Sequence, residues 1–334
     1  MSQRTMRAAV LNDIDDIRIE RRAVPDIGEG ELLVQTKASG ICSGDIMAWY
    51  IQRKAPLVLG HEPSGVVAEV RGASEFAVGD RVFVHHHAPC FECDACRGGE
   101  YVQCATWRNS RIDPGGIAEF FRVPRENQRD TLRLPDGVSF ADAALVEPLA
   151  CVVKSLRRSG LAAGETLYVI GLGVMGLMHV LAAKRLGATV YASDFIEERR
   201  DRALCNGAIA FHPDDAGAML GAGADVVICG PATAEAMTHA FETVAPAGTV
   251  LMFTPFAPDL PMAVPTDRFY FNDLRLVASY SCGPDDTRAA LQLISDGVVT
   301  AQKLGATLIR IEDVPQAYRD FARARLIKPI VTFG

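Results

Sequence analysis

At 334 residues the chain has room for about two domains by a prior of roughly 150 residues each, and 49% apolar against 22% charged residues excludes a disordered or fibrous protein. The 34 basic and 41 acidic side chains leave a formal charge of −7, which argues against nucleic acid or an anionic membrane as partner, since both need a basic face. The opening MSQRTMRAAVL lacks the apolar core of about 7 to 15 residues of a secretory signal, so a cytoplasmic protein is expected, with nine cysteines read as metal ligands or buried thiols before disulfides.

In chain order, the first third consists of short alternating runs broken by glycine and proline: RAAVL, ELLVQTKAS, SGVVAEV, DRVFV and AEFFRV. Such runs predict β-rich structure with little helix. After Glu147 and Pro148 strands alternate with amphipathic helices, the pattern of a doubly wound parallel sheet. Strands are expected at 166–170, 189–193, 225–229, 249–253 and 274–279, and helices at 174–186, 196–205, 233–244 and 284–296. Residues 167–183 are apolar enough to suggest a membrane span, but Gly171, Gly173, Gly176 and His179 divide them into strand, turn and helix. The remaining TLIRI, a helix near 313–324 and IVTF are expected to rejoin the first domain.

Cys90, Cys93, Cys96 and Cys104 follow C-x2-C-x2-C-x7-C. Four thiolates so close can enclose a tetrahedral Zn²⁺ and leave no open position, the property of a structural site. An iron–sulfur cluster is the weaker alternative, because nothing else points to electron transfer. A zinc-ribbon nucleic-acid binder would need a basic face, yet Arg97 is the only cation between Cys90 and Cys104. Cys42, His61, Glu62 and Glu147 form a looser set of zinc-type donors that would leave one position open for water or substrate. Three consecutive histidines, His85 to His87, follow a strand; side chains alternate along a strand, so polar or packing roles are expected rather than ligation. His179 is expected as a buried, satisfied histidine beside Met175 and Leu186, and Cys151, Cys205, Cys229 and Cys282 as buried thiols.

The segment VIGLGVMG places Gly171, Gly173 and Gly176, with Val174 and Met175 between them, after a strand and at the start of a helix. Glycines there permit a tight turn and close approach of a pyrophosphate to the helix N-terminus. Asp194 follows at the end of the next strand, where a carboxylate binds a ribose 2′-hydroxyl and repels a 2′-phosphate, favouring NAD over NADP.

With these motifs in this order, the sequence resembles the zinc-containing medium-chain dehydrogenases, in the sorbitol, polyol and threonine dehydrogenase branch, over essentially the whole chain. The resemblance implies an α/β architecture: a β-rich GroES-like catalytic domain (1–147 and 282–334) and a Rossmann domain (148–281). It implies a catalytic zinc on Cys42, His61 and Glu147, with Glu62 as an exchangeable ligand and Asp45 orienting His61. It also places Arg199 beside the adenosine and aligns Gly115, Gly116, Ala118, Glu119 and Phe120 with the family's GGxAEY segment. Where the family reads Cys-Gly-Thr/Ser-Asp, this chain reads Cys42, Ser43, Gly44, Asp45, and Met47 replaces a relay histidine common in relatives. Ser43 and a bound water or substrate hydroxyl are equal candidates for the proton path.

These readings predict an NAD-linked dehydrogenase with two zinc ions per chain, acting on a small secondary alcohol (polyol, cyclitol, sugar derivative or amino alcohol) and assembled as a homo-dimer or tetramer. The alternatives are a zinc reductase or an aldehyde or primary-alcohol dehydrogenase of the same fold, and a catalytically silent nucleotide-binding protein. The last would require a broken zinc set.

Overall fold

The computed structural model describes residues 4–334. They divide into two compact units: the described residues up to Ala150 together with Cys282–Gly334, and Cys151–Ser281.

The first unit opens with strands β1 (Thr5–Asp13), β2 (Asp16–Ala23), β3 (Leu32–Gly40), β4 (Leu57–Val58), β5 (Pro63–Val70), β6 (Arg81–Val84), β7 (Phe120–Val123) and β8 (Thr131–Arg133). The second unit supplies β9 (Thr166–Ile170), β10 (Thr189–Ser193), β11 (Ile209–Phe211), β12 (Ala224–Cys229), β13 (Val244–Met252) and β14 (Arg275–Ala278). The chain then returns to the first unit as β15 (Thr307–Arg310) and β16 (Pro329–Thr332).

β3 organises the first unit. One edge pairs with β5 along its length, and the other is shared by β7 at its start and β16 at its end, all antiparallel. Paired on both edges, it is buried at seven of its nine positions, with Gln35 and Lys37 part-exposed and the polar Thr36 and Ser39 buried among apolar neighbours. Its end is therefore a fixed platform for the residues that follow, beginning at Ile41 and Cys42. Ile41, Ile51, Leu59, Ile117, Val314, Tyr318, Phe321 and Val331 share one core cluster beneath that platform.

The second unit is a fully parallel sheet in the order β11-β10-β9-β12-β13-β14. The first strand lies centrally and the order reverses beside it, the crevice where doubly wound sheets bind nucleotides. Residues 167–183 resolve into β9, a turn and the helix Val174–Leu186, and no helix among the described residues is long and apolar enough to cross a membrane.

Several elements differ from the sequence expectation. β2, DIRIERRA, alternates only briefly, with Ile17 and Ile19 packed against the core cluster, before the charged and exposed Arg21 and Arg22 break the apolar alternation that marks a strand. β13 begins at Val244, five residues before the expected 249, and the register with β12 shifts between Ala224 and Val226. The short β11 and the helix Thr266–Phe271 were not expected. Cys229 and Cys282 are buried as expected, whereas Cys205 is exposed and Cys151 half-buried; Cys205 closes the polar helix Glu197–Cys205, whose last turn faces solvent. His179 is buried, but Leu186 at the end of its helix is 44% exposed.

Candidate metal centres and nucleotide site

The four-cysteine loop closes on itself. Cys90 Sγ lies 3.9 Å from Cys96 Sγ and 3.6 Å from Cys104 Sγ, and Cys93 Sγ lies 3.5 Å from Cys96 Sγ. Zn–S bonds of about 2.3 Å would separate tetrahedral sulfurs by roughly 3.8 Å, so the set fits zinc with almost no adjustment. Backbone N–H groups of Glu92 and Cys93 donate to Cys90 Sγ at 3.4 Å. Those bonds pull the Cys90 thiol below its ordinary range. Val102, Trp107 and Tyr101 pack around the loop.

The second set forms where β3 ends. Cys42 caps a single 3₁₀ turn, Ser43–Ile46: its Sγ accepts the Gly44 N–H at 3.3 Å, and Asp45 Oδ2 returns to accept the Cys42 N–H at 3.3 Å. Asp45 is buried, and its carbonyl accepts the Tyr318 hydroxyl. His61 arrives from the turn before β5. Gly60 there has φ +101°, and a Cβ would stand 2.3 Å from the Ile117 nitrogen, so only glycine fits. Gly116 and Ile117 donate to the carbonyls of Gly60 and Leu59 at 2.7 and 2.8 Å, and Glu119 ties the same segment to Arg7. The GGxAEY-like segment thus fixes the approach of His61.

Ligand atoms of Cys42, His61 and Glu62 lie within 4.8 Å of one another. Asp45 Oδ1 is 3.7 Å from His61 Nδ1, an ion-pair distance longer than a hydrogen bond. Glu62 is fully buried: Oε2 pairs with Lys328, and Oε1 has no hydrogen-bond partner. An orphaned buried carboxylate oxygen beside a thiol and an imidazole fits a divalent zinc-type ion, which would satisfy it. Lys328 also donates to the Ile41 carbonyl at 3.1 Å. Burial raises the Cys42 thiol and the Asp45 and Glu147 carboxyls. Burial alone would lower His61, but the neighbouring Cys42, Asp45 and Glu147 outweigh it and hold the imidazolium well above its ordinary range.

Glu147, in the first turn of the helix Val146–Ser159, falls in a different group, within 4.8 Å of ring nitrogens of His85 and His86. Two of the three consecutive histidines thus come near Glu147, while His87 stands outside the group, in keeping with the expectation that all three cannot converge on one ion. β6 ends at Val84, so pleated alternation no longer governs residues 85 and 86. Ser43 is half-buried at the start of the turn. A Cβ at Gly44 would lie 3.6 Å from Cys42 Sγ and 3.9 Å from the Tyr50 ring, so the position that bears a hydroxyl in most relatives faces the metal set and is bare here.

In the second unit Gly171 has φ +86°, and a Cβ on Gly176 would fall 1.9 Å from the Gly171 carbonyl, so the turn and helix approach too closely for any side chain. A Cβ on Gly173 would meet nothing within 4 Å. That open space lies at the uncapped N-terminus of the helix that Val174 and Met175 begin, a cradle suited to a pyrophosphate. Asp194 follows β10; its carboxylate accepts the N–H groups of Leu172 at 2.8 Å and Ile196 at 2.9 Å, with Arg199 at 3.4 Å. Sequence reasoning missed this second task, the bracing of the glycine turn.

Two zinc-type sets in one unit and a nucleotide-binding sheet in the other define a zinc- and NAD-dependent oxidoreductase acting on a CH–OH group. Residues 28–136 match the alcohol dehydrogenase GroES-like domain and residues 174–296 the zinc-binding dehydrogenase domain. The chain belongs to the zinc-binding medium-chain dehydrogenase/reductase family. It is 28% identical to D-xylulose reductase A of Aspergillus niger, covering 96% of this chain and 95% of that protein. Among solved structures, a zinc-binding dehydrogenase of Sinorhizobium meliloti 1021 bound to NADP superposes with a TM-score of 0.88 at 28% identity, covering 99% and 100% of the two chains. The 2R,3R-butanediol dehydrogenase of Bacillus subtilis gives 0.86 at 26% identity, covering 98% and 100%.

Proposed function

We propose that the chain oxidises a secondary alcohol of the polyol, cyclitol, sugar or amino-alcohol kind to a ketone, with NAD as hydride acceptor. The observation that carries this reading is the buried Cys42–His61–Glu62 set with its orphaned Glu62 Oε1. Bound zinc supplies Lewis acidity that lowers the pKa of a substrate hydroxyl, and NAD takes the hydride.

Cys42 and His61 would hold the ion with Glu62, whose second oxygen stays on Lys328, and Glu147 would enter the set by moving toward it. Asp45 would steady His61. Ser43 would accept the substrate proton or pass it to water, since Gly44 and Met47 offer no acceptor. Trp49 and Tyr50, on the half-exposed segment after the turn, would shape the substrate pocket. In the nucleotide unit Gly171, Gly173, Val174, Met175 and Gly176 would take the pyrophosphate, Asp194 the ribose and Arg199 the adenosine. The names of the curated and structural relatives support a vicinal-diol or sugar-type substrate. The reverse direction, ketone reduction, is the second reading, favoured by the name of the Aspergillus relative. Cytoplasmic placement is part of the proposal, because both sets need reduced thiols. Self-association is too: Tyr270, Phe271 and Tyr280, beside the sheet-edge strand β14, are each more than half exposed.

The test is an NADH-formation screen of zinc-replete protein over polyols, inositols, sugar derivatives, amino alcohols and simple secondary alcohols. Turnover that disappears in Cys42→Ala is expected; no turnover across the panel would overturn the reading.

A further inference from the structure

Beside the Cys42 set, two stretches of the first unit carry positive charge that the reaction just described does not use. The chain has a formal charge of −7, yet no Asp or Glu occurs from Ile46 to His61, where Arg53 and Lys54 lie, or from Tyr101 to Ile112, where Arg108 and Arg111 lie. The first stretch follows the 3₁₀ turn that Cys42 caps and runs through two short helical turns, Ala48–Ile51 and Gln52–Lys54. At helical spacing a side chain meets the one four residues on, and here each aromatic meets a cation. The Arg53 guanidinium carbon stands 5.3 Å from the centre of the Trp49 ring, and the Lys54 ammonium stands 3.9 Å from the centre of the Tyr50 ring. Lys54 Nζ also donates to the Tyr50 hydroxyl at 2.7 Å, so ring attraction and a hydrogen bond together fix where this charge sits.

Tyr50 brings that charge up to the metal set. Its ring lies 3.9 Å from the point that a Cβ on Gly44 would occupy, and the same point is 3.6 Å from Cys42 Sγ. The ring thus reaches from the neighbourhood of the thiol to the Lys54 ammonium. The imidazoles next to His61 give the same placement: the His61 and His86 ring centres are 5.0 Å apart and those of His86 and His87 4.2 Å apart. Burial, the neighbouring histidines and Lys54 hold His86 well below its ordinary range; burial, His85, His61 and Arg111 bring His87 to about 3. Both rings are therefore neutral, and Lys54 and Arg111 lie close enough to act on them. The carboxylates nearby are buried and have other tasks: Asp45 faces His61, Glu62 pairs with Lys328, Asp130 pairs with His85, and Glu147 goes to the ion in the function proposed above. Surface packing alone would account for a lysine on a tyrosine ring. It would not account for an acidic chain that keeps carboxylates out of both stretches flanking its metal set.

We propose that Lys54, held by Tyr50, determines specificity by binding a carboxylate or phosphate on the substrate while the reacting hydroxyl lies at the Cys42–His61–Glu62 set. The substrate is then an acidic secondary alcohol, such as a sugar acid, a hydroxy acid or a sugar phosphate, in preference to an uncharged polyol. An ammonium bonds an anionic oxygen about twice as strongly as a neutral one, so the group that distinguishes these substrates is the group Lys54 reads. Arg111 adds positive potential that draws an anion in without touching it. Anchoring the charged end leaves the length of the Tyr50 ring to decide which carbon brings its hydroxyl to the ion. No bond is made or broken at Lys54. The inference rests on the proposed function in placing the reacting hydroxyl at the Cys42 set.

The test compares ribitol, ribonate and ribitol 5-phosphate with the zinc-replete full chain, as substrates with NAD and by calorimetric titration without it. The wild type should favour one of the two anions over ribitol by at least about tenfold in kcat/KM, mainly through KM, and should bind it more tightly by a similar factor. Which anion is favoured distinguishes carboxylate from phosphate. Lys54→Gln should lower the preference about tenfold and Lys54→Arg should keep most of it, whereas a role confined to packing Tyr50 would move all three compounds together. Raising salt from about 50 to 500 mM should weaken the anion relative to ribitol. A wild type with no Lys54-dependent preference for either anion, in turnover or in binding, overturns the proposal. Failure of the functional reading is distinct: Lys54-dependent binding of the anion with no turnover of any of the three would remove the dehydrogenase and leave the anion site standing.

Discussion

Gly40 is the residue on which the metal set leans most directly. A Cβ there would lie 1.8 Å from Glu62 Oε2 and 2.9 Å from Lys328 Nζ, so the glycine is the space that the buried ion pair occupies. Gly40→Ala should force the pair apart and destabilise the first unit by about 1–3 kcal/mol, read as a lower urea midpoint. Lys328→Met leaves the Glu62 carboxylate buried without its cation and should cost about 3–5 kcal/mol, a loss that Glu62→Gln should largely rescue when combined with it. If Lys328→Met is neutral, the pair is not held as described. Asp194 makes a two-part prediction. Asp194→Ala should erode a wild-type preference for NAD over NADP in kcat/KM, and it should also lower thermal stability, because Leu172 and Ile196 lose their acceptor. A wild type that prefers NADP would overturn the assignment of the ribose site. Ser43→Ala tests the proton path: a fall in kcat of at least about tenfold, relieved at high pH with zinc retained, is the expected result. A change under about threefold would give the proton to water or to the substrate.

At the scale of elements, the helix Val174–Leu186 carries a pH signature. His179 donates from Nδ1 to the Met175 carbonyl at 2.7 Å and accepts the Ser155 hydroxyl at Nε2, also at 2.7 Å, deep in the nucleotide unit. Burial lowers its pKa from 6.5 to about 4. Between those values the unfolded state binds the extra proton, so stability is full above about 6.5 and declines as the pH falls toward 4, by on the order of 3 kcal/mol. Urea midpoints at pH 7 and pH 5 should therefore differ more in the wild type than in His179→Gln; equal differences would remove this histidine from the acid response. The elements legible in the sequence were those whose burial writes a period: β9, β10 and the helix after the glycine turn fall at the expected residues. β2 was not legible because its apolar alternation spans only Ile17 and Ile19 before a run of charged residues. The four cysteines and the glycine turn could be read because spacing alone constrains them. The convergence of His85 and His86 on Glu147 could not be read, since it depends on where β6 stops and on a helix more than fifty residues later.

Across the whole molecule the two cysteine-bearing sets predict separable metal losses. Without added metal, Cys93→Ala should lose one zinc and lower the melting temperature, whereas Cys42→Ala should lose another ion and activity while the chain stays folded. Equal ion counts in wild type and Cys42→Ala would contradict this. Light scattering should give a dimer or tetramer, with Phe271→Lys or Tyr270→Lys shifting the population toward monomer; a wild-type monomer would refute self-association. Lys328 and β16, which close the metal platform against β3 and Ile41, stand beyond the entire nucleotide unit in the chain. During synthesis, at roughly 5–20 residues per second, residues 151–281 emerge as one uninterrupted stretch and can fold at once. The catalytic half must wait with Glu62 unmatched until Lys328 leaves the ribosome, so its metal platform can close only after the whole nucleotide unit has been made.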